Sequence, residues 1–415
     1  MKLSQLFTKT RREAPRDEEA ISAQLLLRAG FVHKQMAGAY VMLPLGLKTL
    51  NSIIGIIREE MNAAGGQELT MTALQPPELW QKTNRWDDKQ VDVWFRTKLH
   101  NDTELGLGFT HEEPLTELMA ENISSYRDLP QYVYQFQAKF RNEVRAKSGI
   151  MRTREFIMKD LYSFSRDQKQ HDEYYEKMKE VYTKVFQRLG IGDHTFITFA
   201  SGGSFSKYSH EFQAIIEAGE DVIYLDRDKK LAVNEEVYTD EVLNDLGLDK
   251  NKLEKVNASE VGNIFTLGTK FSDPLGLKFT DEDGSVKPVI MGSYGIGPAR
   301  VMGVLIELFH DDKGMIWPEE IAPAKAHIVR IGEDEDVVKA ADKLYADLKA
   351  QGIETIYDDR DIPAGAKFAD ADLMGMPVRL TVSPKTLKEN SVEVKRRNEA
   401  ESKLVSHAEA LKLFK

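Results

Sequence analysis

Apolar side chains recur at helical spacing in two long stretches of this chain. One runs from residue 47 to residue 64 and stops at a pair of glycines, which predicts a helix and its end. The other covers residues 168 to 189, with Asp167 placed to cap its first turn. Both patterns predict helices that bury one face.

Strict alternation of apolar and polar side chains predicts strands elsewhere. The strongest case is residues 132–140, where aromatic residues take one face and polar residues such as Gln135 and Lys139 take the other. Continued alternation would put Arg141 and Glu143 on the polar face. We expect the chemistry of this strand on that face.

The pattern changes after Trp317. An apolar run at 326–331 and a helical pattern at 337–348 are followed by a second apolar run, which is typical of alternating strands and helices. The sequence therefore predicts a first domain at 1–321 and a separate α/β domain at 322–415.

Charge narrows the possible partners. The chain has 56 basic and 67 acidic residues among 415, a net charge of −11, which argues against nonspecific coating of nucleic acid or an anionic membrane. Residues 217–261 hold 13 acidic and 6 basic side chains and are predicted to form a short acidic, solvated connection with one short helix. Residues 139–159 are the reverse, with seven basic and two acidic side chains.

Composition excludes further classes of protein. The chain has no cysteine, which excludes disulfides, thiolate catalysis and cysteine-bound zinc. The N-terminus lacks the apolar core of a signal peptide, and no uncharged apolar run reaches the roughly 18 residues that suggest a membrane span. We expect a cytoplasmic protein with no membrane partner.

The basic stretch predicts two strand-like segments joined by a loop around Lys147. Its candidate ligand groups are three guanidiniums, one carboxylate and one ring: Arg141, Arg152, Arg154, Glu143 and Phe156. Guanidiniums bind phosphate oxygens in a forked geometry, a carboxylate can accept from the adenine amine, and a ring can stack on the base. A solvated hairpin with cross-strand ion pairs explains the charges equally well, so both interpretations stay open.

Residues 289–309 predict a strand, a glycine-rich turn and a helix with Pro298 near its first position. Gly295 and Gly297 would let the backbone approach a ligand closely, and Arg300 in the first helical turn favours an anion such as a terminal phosphate. The glycine spacing is neither the dinucleotide fingerprint nor a P-loop. A tight packing turn is the alternative.

Two further candidates lie outside these stretches. Thr110 and Glu112 could bind a cation, although Thr110 with Glu113 also fits a capping box at a helix start. His210 is a lone histidine beside aromatic residues, where a packing role is more common than a catalytic one.

Taken in order, these stretches resemble the class II aminoacyl-tRNA synthetases, and specifically the bacterial-type prolyl family. The motifs span nearly the whole chain and include THEE, FRNEVR, GIMRTREFIMKDLYSF, SHEFQ, VGNIFTLGTKFS, GSYGIGPAR and YDDRDIPAGAKFADADLMGMPV. The resemblance implies an α+β catalytic domain, with an antiparallel sheet flanked by helices, and a C-terminal α/β anticodon-binding domain. It also implies a homodimer that activates L-proline with ATP and transfers it to the 3′ end of tRNA(Pro).

The site residues of the family carry over to matching positions. Proline binding is implied for Thr110, Glu112, Arg141 and His210. ATP binding is implied for Arg141, Glu143, Arg152, Arg154, Phe156, Gly295, Gly297 and Arg300. Arg141 and Arg300 would be the catalytic pair, acting with Mg²⁺ and without zinc or a metal site made by protein alone. Anticodon contacts are expected at Asp358, Asp359, Arg360, Lys367 and Phe368.

Two departures from the family pattern matter. Residues 212–291 leave too little chain for the editing insertion of most bacterial relatives, so no cis-editing domain is expected. The segment 201–207 differs from the usual Gly-Gly-Ser run, which leaves its pocket contacts undefined.

Two rival functions remain. One is another synthetase of the same subgroup, threonyl or glycyl, and the missing cysteine weakens the zinc-dependent threonyl option. The other is an inactive relative that only binds nucleic acid. The joint presence of Arg141, Glu143, Phe156 and Arg300 argues against this second rival.

Overall fold

The structure is a computed structural model that describes residues 1–15, 17–144, 146, 148–203 and 207–414. Lys147 of the predicted loop and residues 204–206 of the segment with undefined contacts lie outside the described residues. The chain divides into two compact units. One contains residues 1–35, 40–53 and 305 onward, and the other contains residues 36–39 and 54–304.

A nine-stranded sheet forms the centre of the unit at 54–304. Its strands, in spatial order, are Tyr208–Ile215, Thr195–Ser201, Leu231–Asn234, Asp221–Asp226, Glu254–Gly268, Ile290–Ile296, Glu155–Ser165, Gln131–Phe140 and Gln67–Glu68. Neighbouring strands are antiparallel except at two parallel contacts. Smaller sheets comprise Leu74–Gln75, Glu104–Leu107 and Phe95–Lys98, and the pair Lys278–Thr280 and Val286–Pro288.

The helices of this unit are Pro77–Lys82, Glu112–Ala120, Gln168–Arg188, Asp240–Asp245 and Ser272–Leu275. They pack on the nine-stranded sheet, except for Pro77–Lys82, which packs on strand Glu104–Leu107 and on neighbouring helices. Asp167 caps the longest by accepting from the backbone nitrogen of Gln170 at 2.9 Å, as the sequence predicts. Helices Pro44–Ala63 and Pro298–Leu308 have residues in both units. In the described part of the chain, no helix has the length and apolar character needed to cross a membrane.

The other unit contains a five-stranded sheet. Its strands, in spatial order, are Thr355–Asp358, Ala326–Arg330, Val378–Val382, Val392–Arg396 and Lys403–Val405, the first three parallel. Its helices are Ile21–Arg28, Glu335–Ala350, Ala364–Met374, Pro384–Lys388 and His407–Lys412. Short strands are His310–Asp311 and Gly314–Met315. The strand pair Val32–Met36 and Ala39–Met42 has residues in both units. The predicted alternation of strands and helices after residue 322 is confirmed.

The prediction of a solvated connection at 217–261 is wrong, although its short helix exists as Asp240–Asp245. Strands Asp221–Asp226 and Leu231–Asn234 lie inside the nine-stranded sheet. Ile223 and Leu225 are fully buried, so alternate positions of a short strand reach the core while many acidic side chains occupy turns and outer positions. The net charge concealed strands that are too short to show a clear period.

Candidate active site

The polar face predicted for strand Gln131–Phe140 lies inside the molecule. Lys139 is fully buried and pairs across the sheet with Phe156. Directly opposed residues of antiparallel strands share a face, so the same face continues along the neighbouring strand through Asp160 and Tyr162. This face forms the floor of the candidate site.

The basic hairpin differs from its prediction in one respect. The first strand ends at Phe140 and the second begins at Glu155. The connection between them, and not the strands, therefore contains Arg141, Glu143, Arg152 and Arg154. The backbone nitrogen of Arg141 still donates to the carbonyl of Arg154 at 2.8 Å. The connection therefore leaves the sheet only after the first arginine.

Arg141 lies where two cavities meet, because it lines both. Its guanidinium faces the ring of Phe156, with 5.2 Å from Cζ to the ring centre, and its Nε donates to the backbone oxygen of Phe109 at 3.4 Å. Burial, followed by the charge of Arg300, lowers the pKa of Arg141. Two partly buried cations that repel each other favour an anion between them.

The carboxylates nearest Arg141 are held by other arginines. Glu143 pairs with Arg152 at 3.0 Å, and Arg152 also reaches Glu220 at 2.8 Å. Glu260 pairs with Arg300 at 3.4 Å. The charge of Arg141 is therefore left for a ligand.

The first cavity is lined by the predicted ATP contacts Glu143, Arg152, Phe156, Gly295, Gly297 and Arg300, together with Arg141. Arg300 is fixed by two backbone acceptors: its Nε donates to Met151 at 2.9 Å and its Nη1 to Glu260 at 2.8 Å. Arg154 is not among the lining residues, since its guanidinium donates to the carbonyls of Glu143 and Ala37 at 3.0 and 2.6 Å. An ATP contact by Arg154 stays a prediction.

The glycine-rich segment is a strand for most of its length, which corrects the predicted turn. Gly292 and Gly295 lie within Ile290–Ile296, and the helix begins at Pro298 as expected. A Cβ atom on Gly295 would lie 2.8 Å from Oδ1 of Asn263, and both residues line both cavities. Glycine at 295 therefore keeps space open beside Arg141.

The second cavity contains the Thr110–Glu112 pair. The hydroxyl of Thr110 donates to the Glu112 carboxylate at 2.7 Å, and the hydroxyl of Tyr162 donates to it at 3.2 Å. The predicted capping box is wrong: His111 is the N-cap of helix Glu112–Ala120 and makes no side-chain cap bond. Thr110 is thereby free to orient the carboxylate and not the helix end.

Arg85 balances the charge of this cavity. Its Nη1 donates to Glu112 at 3.1 Å and to Glu113 at 3.0 Å, and Thr83 donates to Glu113 at 2.8 Å. Burial raises the pKa of Glu113 to about 7, although Arg85 opposes the shift. Lys270 also lines this cavity and is a second cation near both carboxylates.

A buried network supports Glu112 from below. Asp160 accepts from Lys139 and from Gln135, each at 2.9 Å, and lies 3.1 Å from the hydroxyl oxygen of Tyr162. Lys139 lies 2.5 Å from Nδ1 of His111, and burial, followed by this cation, lowers the pKa of His111 to about 4. The network keeps His111 neutral at neutral pH and fixes the hydroxyl that faces Glu112.

Comparisons with known proteins bear on this geometry. The family described as "tRNA synthetase class II core domain (G, H, P, S and T)" matches residues 95–309, and "Anticodon binding domain" matches residues 323–415. The chain is 40% identical over 437 residues to a proline–tRNA ligase of Zymomonas mobilis, covering 100% of this chain and 98% of the relative. It is 37% identical over 443 residues to a proline–tRNA ligase of Azorhizobium caulinodans, covering 100% of both. The chain belongs to the proline–tRNA ligase family.

Two further comparisons concern fold and length. A crystal structure of prolyl-tRNA synthetase from Cryptosporidium parvum, complexed with L-proline and AMP, has a TM-score of 0.76 at 18% identity and covers 95% of this chain and 73% of that chain. The alignment with a proline–tRNA ligase of Dehalococcoides mccartyi is 35% identical over 552 residues, covering 98% of this chain and 97% of the relative. At least 137 of those positions, the difference between 552 and 415, are gaps in this chain. The expected class II fold and the function of the proline–tRNA ligase family are confirmed, and the length is consistent with the absence of a large editing insertion.

His210 lies apart from the two cavities. Its Nδ1 is 2.9 Å from the hydroxyl of Tyr175, and burial lowers its pKa to about 4. It does not line either cavity described above. The proline contact that family membership implies for His210 stays a prediction.

The expected anticodon residues differ in accessibility. Asp358 and Lys367 are buried: Asp358 pairs with Arg360 at 2.7 Å, and Lys367 donates to the backbone of Arg330 at 2.7 Å. Asp359, Arg360 and Phe368 keep part of their surface exposed. Asp359 accepts from Ser4, and Phe368 lies under Arg379.

Sequence reasoning missed the groups that hold Glu112 in place. Asp160 and Tyr162 could have been found, because the alternation that includes Phe156 continues through them. Arg85 lies 27 residues before Glu112 in a segment with no periodic pattern, so nothing in the sequence indicated their contact. Among the described residues, no group of three or more His, Asp or Glu side chains could hold a metal ion.

Proposed function

We propose that the chain catalyses both steps of prolyl-tRNA formation with these side chains. L-proline and ATP form prolyl-adenylate and pyrophosphate, and the prolyl group is then transferred to the 3′ end of tRNA(Pro). The observation that carries the assignment is the position of Arg141 between an acidic cavity and a basic one. The ammonium of a zwitterionic amino acid needs an acidic environment, and the adjacent polyphosphate needs a basic one.

The acidic cavity is the proposed proline site. The secondary ammonium of proline would donate to Glu112 and to the hydroxyl of Thr110, which lie 2.7 Å apart. Arg85 with Glu113 supplies a nearly balanced pair behind them. The proline carboxylate then points toward Arg141, the cation shared with the other cavity.

The basic cavity is the proposed ATP site. The adenine ring would stack on Phe156, and its exocyclic amine would donate to Glu143. Arg300 would bind the γ-phosphate, with Arg152 as a further contact. The backbone at Gly295 and Gly297 admits the nucleotide closely because no side chain stands there.

The first chemical step needs alignment and charge. A carboxylate oxygen of proline attacks the α-phosphorus in line; a new P–O bond forms as the bond to the pyrophosphate oxygen breaks. Arg141 offsets the repulsion between the two anions and the charge that develops on the phosphoryl oxygens. In the second step a terminal ribose hydroxyl of tRNA attacks the prolyl carbonyl and AMP leaves, so neither step needs a protein nucleophile.

Mg²⁺ is proposed to accompany ATP. Mg²⁺ usually binds one or two carboxylates together with substrate phosphates and waters, and Glu260 offers a partly exposed carboxylate beside Arg300. When bound, the ion would neutralise phosphate charge. Within the described ranges, no cluster of three or more carboxylate or imidazole groups could hold the ion without the nucleotide.

The remaining assignments follow from family membership. We propose a cytoplasmic homodimer whose interface includes helix Pro44–Ala63, with a catalytic domain at 1–321 and an anticodon-binding domain at 322–415. Direct anticodon contacts are proposed for Asp359, Arg360 and Phe368. Asp358 and Lys367 are buried and would act indirectly, by holding Arg360 and the backbone of Arg330 in place. Sedimentation velocity at micromolar protein tests the dimer, since a single monomeric species would contradict it.

ATP–pyrophosphate exchange tests the proposed reaction. The purified chain is assayed with each of the twenty amino acids, and proline is expected to give the highest kcat/KM. Exchange driven by threonine or glycine would favour the rival synthetases, and no exchange with any amino acid would favour the nucleic-acid-binding rival. Aminoacylation of a tRNA(Pro) transcript then tests the second step.

A further inference from the structure

We propose that a basic cavity beside the N-terminal segment binds phosphates of the tRNA backbone. It lies within the unit that contains residues 305 onward. Arg11, Arg12, Arg28 and Lys313 line it, opposite one face of helix Ala364–Met374. Its volume of ≈ 550 Å³ falls within the range of roughly 300–1,000 Å³ that ligand clefts occupy.

The cavity has uncompensated positive charge. Two acidic side chains also line it, but both are already paired: Asp370 with Arg360 at 2.8 Å, and Asp372 with Arg379 at 3.0 Å. Asp370 accepts in addition from the hydroxyl of Thr10 at 2.7 Å. Arg379 neutralises Asp372, whereas Arg360 is shared between Asp370 and Asp358. The acidic groups of this wall therefore oppose the four cations with a net charge of only about −1.

The four cations have no such partners. Among the residues that the structure describes, no carboxylate lies within ion-pair distance of Arg11, Arg12, Arg28 or Lys313. The sequence neighbours Glu13 and Asp312 do not line the cavity. The first two arginines and Lys313 are exposed, so a ligand can reach them without a conformational change.

Like charges held together without neutralisation repel one another, and a polyanion relieves that repulsion. The Nε atom of Arg28 is buried and has no hydrogen-bond acceptor among the described residues. The backbone nitrogen of Arg11 donates to the carbonyl of Arg28 at 2.7 Å, which fixes the N-terminal segment against the helix end. The cations are therefore positioned by the fold as well as grouped by it.

The position of the cavity selects the polyanion. One wall is helix Ala364–Met374, which belongs to the region matched by the anticodon-binding family. The Asp370–Arg360 pair joins this wall to an expected anticodon contact. Phosphate contacts fix the register of a nucleic acid without reading its sequence, so the cavity would hold backbone phosphates near the anticodon. This inference rests on the proposed function, because it takes tRNA as the substrate.

Equilibrium binding of a tRNA(Pro) transcript tests the proposal. The variant R11A/R12A removes two exposed charges, and K339A/K343A is the matched control because it removes two charges that form surface pairs on helix Glu335–Ala350. Binding is measured by filter retention between 50 and 300 mM salt. The first variant is expected to weaken binding about tenfold or more and to reduce the slope of log K against log salt by about 2, while the control keeps both values.

A second tRNA and a second variant separate a phosphate site from its alternatives. The same loss with a non-cognate tRNA supports a backbone site, since phosphate contacts carry no sequence information. An unchanged affinity and salt slope in R11A/R12A and in K313E, a second variant at an exposed position, overturn the proposal. So does dissociation of a dimer with tRNA affinity retained, which would make the cavity a subunit contact. ATP–pyrophosphate exchange needs no tRNA, so its failure in the unmodified chain would contradict the proposed function separately.

Discussion

Replacing Arg141 by alanine tests the proposed chemistry most directly. Arg141 lines both cavities, and the carboxylates around it are held by Arg85, Arg152 and Arg300. The side chain therefore contributes its charge to ligands and little to the fold. We expect R141A to fold normally and to lose proline activation.

The size of the loss follows from two interactions. The proposed partners are the α-phosphate and the proline carboxylate, and a hydrogen bond to a charged group contributes about 1.5–3 kcal/mol. Two such hydrogen bonds to charged groups together contribute roughly 3–6 kcal/mol. At about 1.4 kcal/mol per tenfold change in rate, kcat/KM should fall roughly 10²- to 10⁴-fold. R141K should recover only part of this, because an ammonium keeps the charge but not the forked geometry.

ATP–pyrophosphate exchange with proline measures the effect, and circular dichroism with thermal unfolding checks the fold. R127A is a suitable control, since Arg127 is exposed and contacts the ring of Tyr126. Exchange by folded R141A within a factor of about three of the unmodified chain, less than 1 kcal/mol, would remove Arg141 from the site. Equal losses in R127A would show that the assay reports general destabilisation.

Three further predictions concern binding, space and pH. T110V should raise the KM for proline about 5- to 30-fold, for one lost hydrogen bond of about 1–2 kcal/mol, with the KM for ATP unchanged; equal changes in both would contradict the separate cavities. G295A should lower kcat/KM for both substrates about tenfold, because its Cβ would lie 2.8 Å from Oδ1 of Asn263; unchanged steady-state constants would show that the space is not used. His327 is buried with a pKa lowered to about 4, chiefly by burial, so the unfolded chain binds more protons between pH 6.5 and 4 and stability falls as pH falls through that window. Between pH 8 and pH 5 the free energy of unfolding should therefore fall by about 2 kcal/mol more in the unmodified chain than in H327L, as measured by urea unfolding. An equal fall in both proteins would refute the assignment.

The elements that the sequence predicts correctly are those with long, uninterrupted periods. Helix Gln168–Arg188 shows such a period because it buries one continuous row of side chains. Strand Gln131–Phe140 shows one in its alternation of residue types, although both of its faces contribute buried residues. Strand Leu231–Asn234 has four residues, too few for a period to be distinguished from chance. The contact of Arg85 with Glu112 depends on tertiary packing across 27 residues. Residue types predicted which side chains could bind the substrates, but not which other side chains position those binding groups.

The charges at the site explain why it suits a zwitterion. On one side of Arg141, the cavity lining adds three carboxylates, Asp92, Glu112 and Asp160, against the two cations Arg85 and Lys270. On the other side, Arg300 and Arg152 face a cavity whose carboxylates they already engage. In the proposed site, the ammonium of an amino acid would be drawn toward Glu112 and its carboxylate toward Arg141. Burial raises the pKa of Glu113 to about 7, and its ionised form would add negative potential behind the proposed proline site. We therefore expect proline binding to weaken as pH falls below about 7.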